Sequence, residues 1–208
     1  KRNVTASNNS SSLSVNSFTI GAETPALVEV TSVDTPSSDN TSTYTFYSTL
    51  SGSISYGGGC SSSTYATAVP GNNTVTFDAL ADGTYNCTIT VTNGSNTSSA
   101  LSVSSFVVDT TAPTLSSVTI SSNNSKDSTK AKVGNIVTLS ITSAETTQSY
   151  TVSIAGETAT VSGSGTSWQA TYTMPSSYSE GAVSFSIDFS DASGNSASTV
   201  TTTTNGSA

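Results

Sequence analysis

The stretch Asp82–Thr92 reads DGTYNCTITVT, and its alternation decides the fold. Tyr85, Cys87, Ile89 and Val91 fall on one side of an extended chain, and Asn86, Thr88 and Thr90 on the other. Successive side chains of a strand point to opposite faces, so this pattern suits a sheet with one face in a core and the other in water. Asp82 and Gly83 supply the turn that precedes it. The pattern recurs at an offset of 98 residues, where Gly181 falls over Gly83 and Ile187 over Ile89. There Val183, Phe185, Ile187 and Phe189 alternate with Ser184, Ser186, Asp188 and Ser190.

A second repeat flanks the first. Leu13–Thr31 matches Leu101–Thr119 at an offset of 88, with nine of nineteen positions identical, among them Phe18/Phe106, Pro25/Pro113 and Leu27/Leu115. Both copies read as a strand, a short turn around a proline, and the next strand. A linker as short as 109–113 leaves little slack, so neighbouring domains are expected to stack end to end.

These repeats divide the chain into a tail (1–22), a first domain (23–110) and a second (111–208), each long enough to bury its own core. Strands are expected at Ala26–Val33, Thr43–Thr49, Ser51–Tyr56, Asn73–Leu80, Thr84–Thr92 and Ser99–Val108 in the first domain. In the second they are expected at Ser117–Ser121, Ile136–Thr142, Tyr150–Ile154, Thr158–Ser162, Ser167–Met174, Ala182–Ser190 and Ala197–Thr203. Nothing repeats at helical spacing. Short strands separated by Gly, Asn, Asp and Ser turns predict an all-β chain of two tandem immunoglobulin-like sandwiches behind an N-terminal orphan strand.

Composition narrows function. Ser and Thr make up roughly 40% of the 208 residues, far above ordinary globular usage. Only 9% of residues are charged, the net charge is −8, and five basic residues cannot neutralise a nucleic-acid backbone. The same deficit argues against anionic lipid, and no apolar run is long enough to insert into a membrane. No signal peptide is evident, so the chain is taken as a mature or excised form. With no histidine, a serine nucleophile lacks its usual base, and the carboxylates are scattered over turns. No catalytic and no cofactor-binding residues are expected.

Thr24–Val30 (TPALVEV), Gly71–Phe77 (GNNTVTF), Asp82–Val91 (DGTYNCTITV) and Phe106–Pro113 (FVVDTTAP) together resemble bacterial immunoglobulin-like (Big-type) repeats. Phe189–Asn195 (FSDASGN) is similar to the hairpin that precedes their last strand. The resemblance covers nearly the whole chain. It implies a stalk, adhesin or filament role in an extracellular or cell-surface protein, and no catalysis. Here the chain begins inside a repeat.

Several residues stand out individually. Tyr85, two positions before Cys87, resembles a tyrosine corner that ties down a turn. Cys60 and Cys87 are expected to form an intradomain disulfide, the alternatives being two free thiols or a metal site that has no histidine to help it. Calcium has two weak candidates, Asp188 with Asp191 and Asp34 with Asp39. A Lys–Asn isopeptide staple is excluded from the lysine-free first domain and leaves only Lys132 in the second. N-glycosylation acceptors occur at Asn3, Asn8, Asn9, Asn40, Asn72, Asn86, Asn93, Asn96, Asn123 and Asn205.

The orphan strand carries the functional expectation. Leu13, Val15, Phe18 and Ile20 are apolar and prefer burial, and an exposed strand of this kind invites edge pairing. At the other end, Val200 is the only large apolar residue of Ala197–Thr203, and nothing matches Phe106 or Val108. One end offers a strand and the other is short of one. The expected partners are therefore identical subunits, polymerising head to tail by strand donation. The alternatives are an adhesive stalk that binds glycans or other cell-surface components, with Tyr44, Tyr47, Tyr56, Tyr65 and Tyr178 as candidate contacts, and an accessory module of a secreted polysaccharide-degrading enzyme.

Overall fold

A computed structural model of the chain describes residues 23–206. In chain order the first half holds β1 (Leu27–Thr31), β2 (Thr43–Ser48), β3 (Gly52–Gly57), β4 (Thr67–Ala68), β5 (Gly71–Thr76), β6 (Gly83–Tyr85), β7 (Thr88–Asn93), β8 (Asn96–Thr97), β9 (Leu101–Ser102) and β10 (Phe106–Val108). One sheet has the order β1-β2-β5; the facing one has β4-β3-β7-β8, with β9 also on β7. Alternation decides which side chains meet between them. Tyr44 and Phe46 of β2 and Val75 of β5 point inward, opposite Ile54, Ile89 and Val91, and all six are buried. Phe77 ties the layers together, stacked at 6.2 Å on Tyr44 and at 6.0 Å on Phe106.

Two long strands expected in this half are each broken in two. Thr84–Thr92 splits into β6 and β7, and Ser99–Val108 into β9 and β10. The reason is a change of partner. β7 pairs with β3 and β9, whereas β6 pairs antiparallel with β10 alone. The chain steps sideways between those pairings and leaves the ladder.

The second half holds β11 (Leu115–Ser122), β12 (Ile136–Ser143), β13 (Thr147–Ile154), β14 (Glu157–Thr158), β15 (Thr160–Ser164), β16 (Ser167–Thr173) and β17 (Phe185–Asp191). The sheet β11-β12-β16-β15 faces β14-β13-β17. Val118, Leu139, Ile141 and Ala170 pack against Val152, Ile154, Ile187 and Phe189 to form a core separate from the first. Both halves are immunoglobulin-like β-sandwiches, and the described residues contain no helix.

The second sandwich departs from expectation at its last two strands. Ala182–Ser184 is not strand, and Ala197–Thr203 forms no regular strand, only isolated bridges of Val200 to Ile187 and of Ser196 to Ser190. The chain then leaves β17 altogether: the Thr204 amide donates to the Val118 carbonyl at 3.0 Å. One valine beside six polar or small residues gives this segment little to bury, so it follows β17 only briefly.

The two sandwiches meet at residues 109–113. The Thr110 amide and the Thr110 and Thr111 hydroxyls donate to the Asp82 carboxylate at 2.7–2.9 Å. From the other side the Asn195 side-chain amide donates to the Asp109 carbonyl at 2.7 Å, and the Ser38 amide to the Ser193 carbonyl at 3.0 Å. The linker is thus hydrogen-bonded to both sandwiches.

Candidate functional site

The first sandwich shows what closes its end nearest the second. β10 lies antiparallel to β6, with Phe106 opposite Tyr85, Val107 opposite Thr84 and Val108 opposite Gly83. On its other edge the Ser37 amide donates to the Val107 carbonyl, and the Asp109 amide to the Ser37 carbonyl. Phe106 and Val108 are each 1% exposed, and the Phe106 ring stacks on Tyr85 at 5.5 Å. Three residues with two buried apolar side chains therefore seal that end.

In the second sandwich the counterpart of β6 is Gly181–Val183, and no strand among the described residues pairs with it. Beside this segment lies a groove of about 960 Å³. Its walls include Ile120, Val137, Met174, Tyr178 and Val183, and Lys130 and Lys132 lie on its rim. Met174 and Val137 are buried, whereas Gly181 and Ala182 are exposed and Val183 is half-exposed. The Tyr178 hydroxyl donates to the Ala182 carbonyl and holds the segment in position. The groove lies at the end of this sandwich away from the first, since β17 runs from Phe185 beside it to Asp191 at the junction. From the sequence, this end is expected to be short of an apolar strand. The contribution of the turns around Lys130 and Tyr178 carried no signal beyond their polar, turn-rich composition.

At the junction, carboxylate oxygens of Asp109, Glu145 and Asp191 lie within 4.8 Å of one another. Burial pushes the Glu145 carboxyl up from its ordinary value, and the charges of Asp109 and Asp191 push it further the same way. Both Asp191 oxygens already accept bonds from Asn195. The sequence-predicted calcium pairs are not brought together as ligands. Asp188 and Asp191 stand three residues apart on β17, so one is exposed and the other buried. Asp39 instead caps its own turn, accepting from the Thr41 amide and hydroxyl. Sequence reasoning missed the junction trio because its members come from three distant parts of the chain.

Cys60 and Cys87 are disulfide-bonded, with Cα atoms 5.7 Å apart. The Tyr85 hydroxyl donates to the Ala81 carbonyl at 2.8 Å, tying down the turn before β6. Among the acceptor asparagines, Asn72, Asn86, Asn123 and Asn205 are exposed, and Asn40, Asn93 and Asn96 are half-buried. Asn3, Asn8 and Asn9 and the strand residues Leu13, Val15, Phe18 and Ile20 lie outside the described residues. Tyr44 is buried. Tyr47, on β2, and Tyr65, in the loop before β4 with its carbonyl accepting from the Tyr56 hydroxyl, are exposed. Lys132 lies on the groove rim.

No protein-family model matches the chain, and no curated protein matches it. Among solved structures, fibronectin(III)-like modules of Clostridium thermocellum CbhA align with 85% of this chain and 91% of their own, at 10% identity and a TM-score of 0.36.

Proposed function

We propose that this chain is a non-enzymatic structural subunit of an extracellular filament or cell-surface appendage, built from immunoglobulin-like modules of the bacterial repeat kind and polymerising head to tail by N-terminal strand donation. The observation that supports this most is the unclosed groove of the second sandwich, in a chain whose first 22 residues include an apolar strand sequence. The same end of the first sandwich is sealed by β10. An apolar strand sequence at 13–20 and a groove beside a segment that no described strand pairs with are complementary, and an asymmetric contact between them propagates into an open polymer. The disulfide fits an oxidising compartment, and the exposed acceptor asparagines fit a surface that can carry glycans.

Negative-stain electron microscopy of the purified chain tests the proposal. Fibres are expected from the full chain, and deletion of residues 1–22 is expected to abolish them while circular dichroism still reports folded sandwiches. Fibres that persist after the deletion, or monodisperse rods from the full chain at every concentration, contradict it.

A further inference from the structure

Building on the strand-donation reading, we infer that Phe18–Ile20 of a second copy of this chain occupies the groove. It lies antiparallel to Gly181–Val183, with Phe18 opposite Val183, Thr19 opposite Ala182 and Ile20 opposite Gly181.

The register follows from two repeats that the chain carries independently. The offset of 88 lays Phe18–Ile20 onto Phe106–Val108, which is β10. The offset of 98 lays Gly181–Val183 onto Gly83–Tyr85, which is β6. In the first sandwich these two segments pair with each other. In the second, Ala197 and Val200 bond to β17 as Ser98 and Leu101 bond to β7, so the sequence positions that follow to match Phe106–Val108 are Asn205, Gly206 and Ser207, none of them apolar; Asn205 lines the groove, and Thr204 just before it is engaged with Val118. Among the described residues no strand closes the groove, and the tail carries the sequence counterpart of the strand that closes the first sandwich.

Chain geometry assigns the donor to another copy. Ile20 is three residues from Glu23, so it can lie at most about 10 Å from the start of the first sandwich. β1 runs away from that start toward Ser38, which bonds Ser193 at the junction. The groove is a further sandwich beyond the junction, and β17 alone spans roughly 20 Å of it. The first sandwich has no vacancy for the segment, because β10 already pairs with β6. The connecting length also fits. Six residues separate Ile20 from Leu27, as six separate Val108 from Leu115, so a junction between copies repeats the one within the chain.

Charge complementarity supports the same partner. Residues 23–110 contain seven carboxylates and no lysine or arginine. Lys126, Lys130 and Lys132, three of the five basic residues in the chain, cluster in the loop that borders the groove. Asp127, paired with Lys130, and Glu180 offset part of that charge, so the groove end keeps a small positive balance, which favours approach of a first sandwich without basic residues.

The pairing is testable by site-directed cross-linking in the full chain. The outward pair in the first sandwich, Val107 with Thr84, is exposed, so Thr19→Cys and Ala182→Cys fall on the water side of the expected pair. Mixed Thr19→Cys and Ala182→Cys chains, treated with a short bis-maleimide, are expected to yield a covalent dimer whose joined peptides carry positions 19 and 182. A chain bearing both substitutions is expected to give a ladder of covalent oligomers. Val183→Asp is expected to reduce fibre yield at least tenfold. Normal fibres without the 19–182 link, and unaffected by Val183→Asp, overturn this register while leaving strand donation intact. Absence of both fibres and link from every full-chain variant and from the parent chain overturns both.

Discussion

At Gly58 the backbone runs so close to the neighbouring strand that an added Cβ would lie 2.1 Å from the Asn86 carbonyl oxygen. Its φ of +72° is a second reason for glycine there. That close approach lets the loop after β3 deliver Cys60 to Cys87. The 27-residue separation between the cysteines implies about 3–4 kcal/mol of stabilisation by restricting the unfolded chain. Replacing both by alanine is expected to lower the unfolding free energy of the first sandwich, read from urea titration, by that amount, and an unchanged value would refute a stabilising role. Tyr85→Phe removes one hydrogen bond to Ala81 and is expected to cost about 1 kcal/mol in the same titration. Glu145 behaves in the opposite sense. Its carboxyl is raised in the fold by burial and by Asp109 and Asp191, so the folded chain holds that proton more tightly than the unfolded one. Its contribution to stability is therefore lost as pH rises through the folded value. Glu145→Gln is expected to raise the Tm at pH 7 by about 1–2 °C and to have no effect well below the carboxylate range; an equal gain at both pH values would remove the charge explanation. The cysteines and Tyr85 were legible because each has a local pattern. Glu145 was not, since its neighbours are brought to it only by the packing of two sandwiches.

Among the strands, burial in register was easy to read and partner exchange was not. Period-two stretches such as Thr43–Ser48 and Phe185–Asp191 alternate visibly, and the structure follows them. The sequence of Thr84–Thr92 alternates without interruption, yet the chain breaks it because β10 claims one end and β3 the other. Propensity specifies that a segment is extended; the available edges decide where its ladder stops. The two-residue strands β4, β8 and β14 carried no periodic signal for the same reason, as each exists only by leaning on a longer neighbour. The importance of β10 can be measured directly. Phe106→Ala removes a ring buried against Phe77 and Tyr85 and is expected to destabilise the first sandwich by about 3–5 kcal/mol. A loss below 1 kcal/mol would mean that the end is not sealed by this strand.

Taken as a whole, the molecule is two sandwiches of one design with unequal ends. The first is closed by β10, whereas no described strand pairs with Gly181–Val183 of the second, and residues 18–20 repeat in sequence the positions of β10. In the proposed contact the lysine loop meets a first sandwich without basic residues, so elongation is expected to slow severalfold as salt rises and screening shortens the reach of those lysines. Salt-independent elongation would assign the contact to apolar burial alone. The difference between the ends is legible in the two sequence offsets, 88 and 98, because residues 204–207 hold no apolar counterpart of Phe106 and Val108. The groove itself is not, because its walls come from β11, β12, the lysine loop and the turn at Tyr178, which only the fold collects. Amide hydrogen exchange, followed by mass spectrometry before and after assembly, tests the central claim. Peptides covering 13–20 and 178–185 are expected to become protected together on assembly and to stay unprotected in chains that cannot assemble. Fibres in which both peptides exchange as fast as in the free subunit would contradict it.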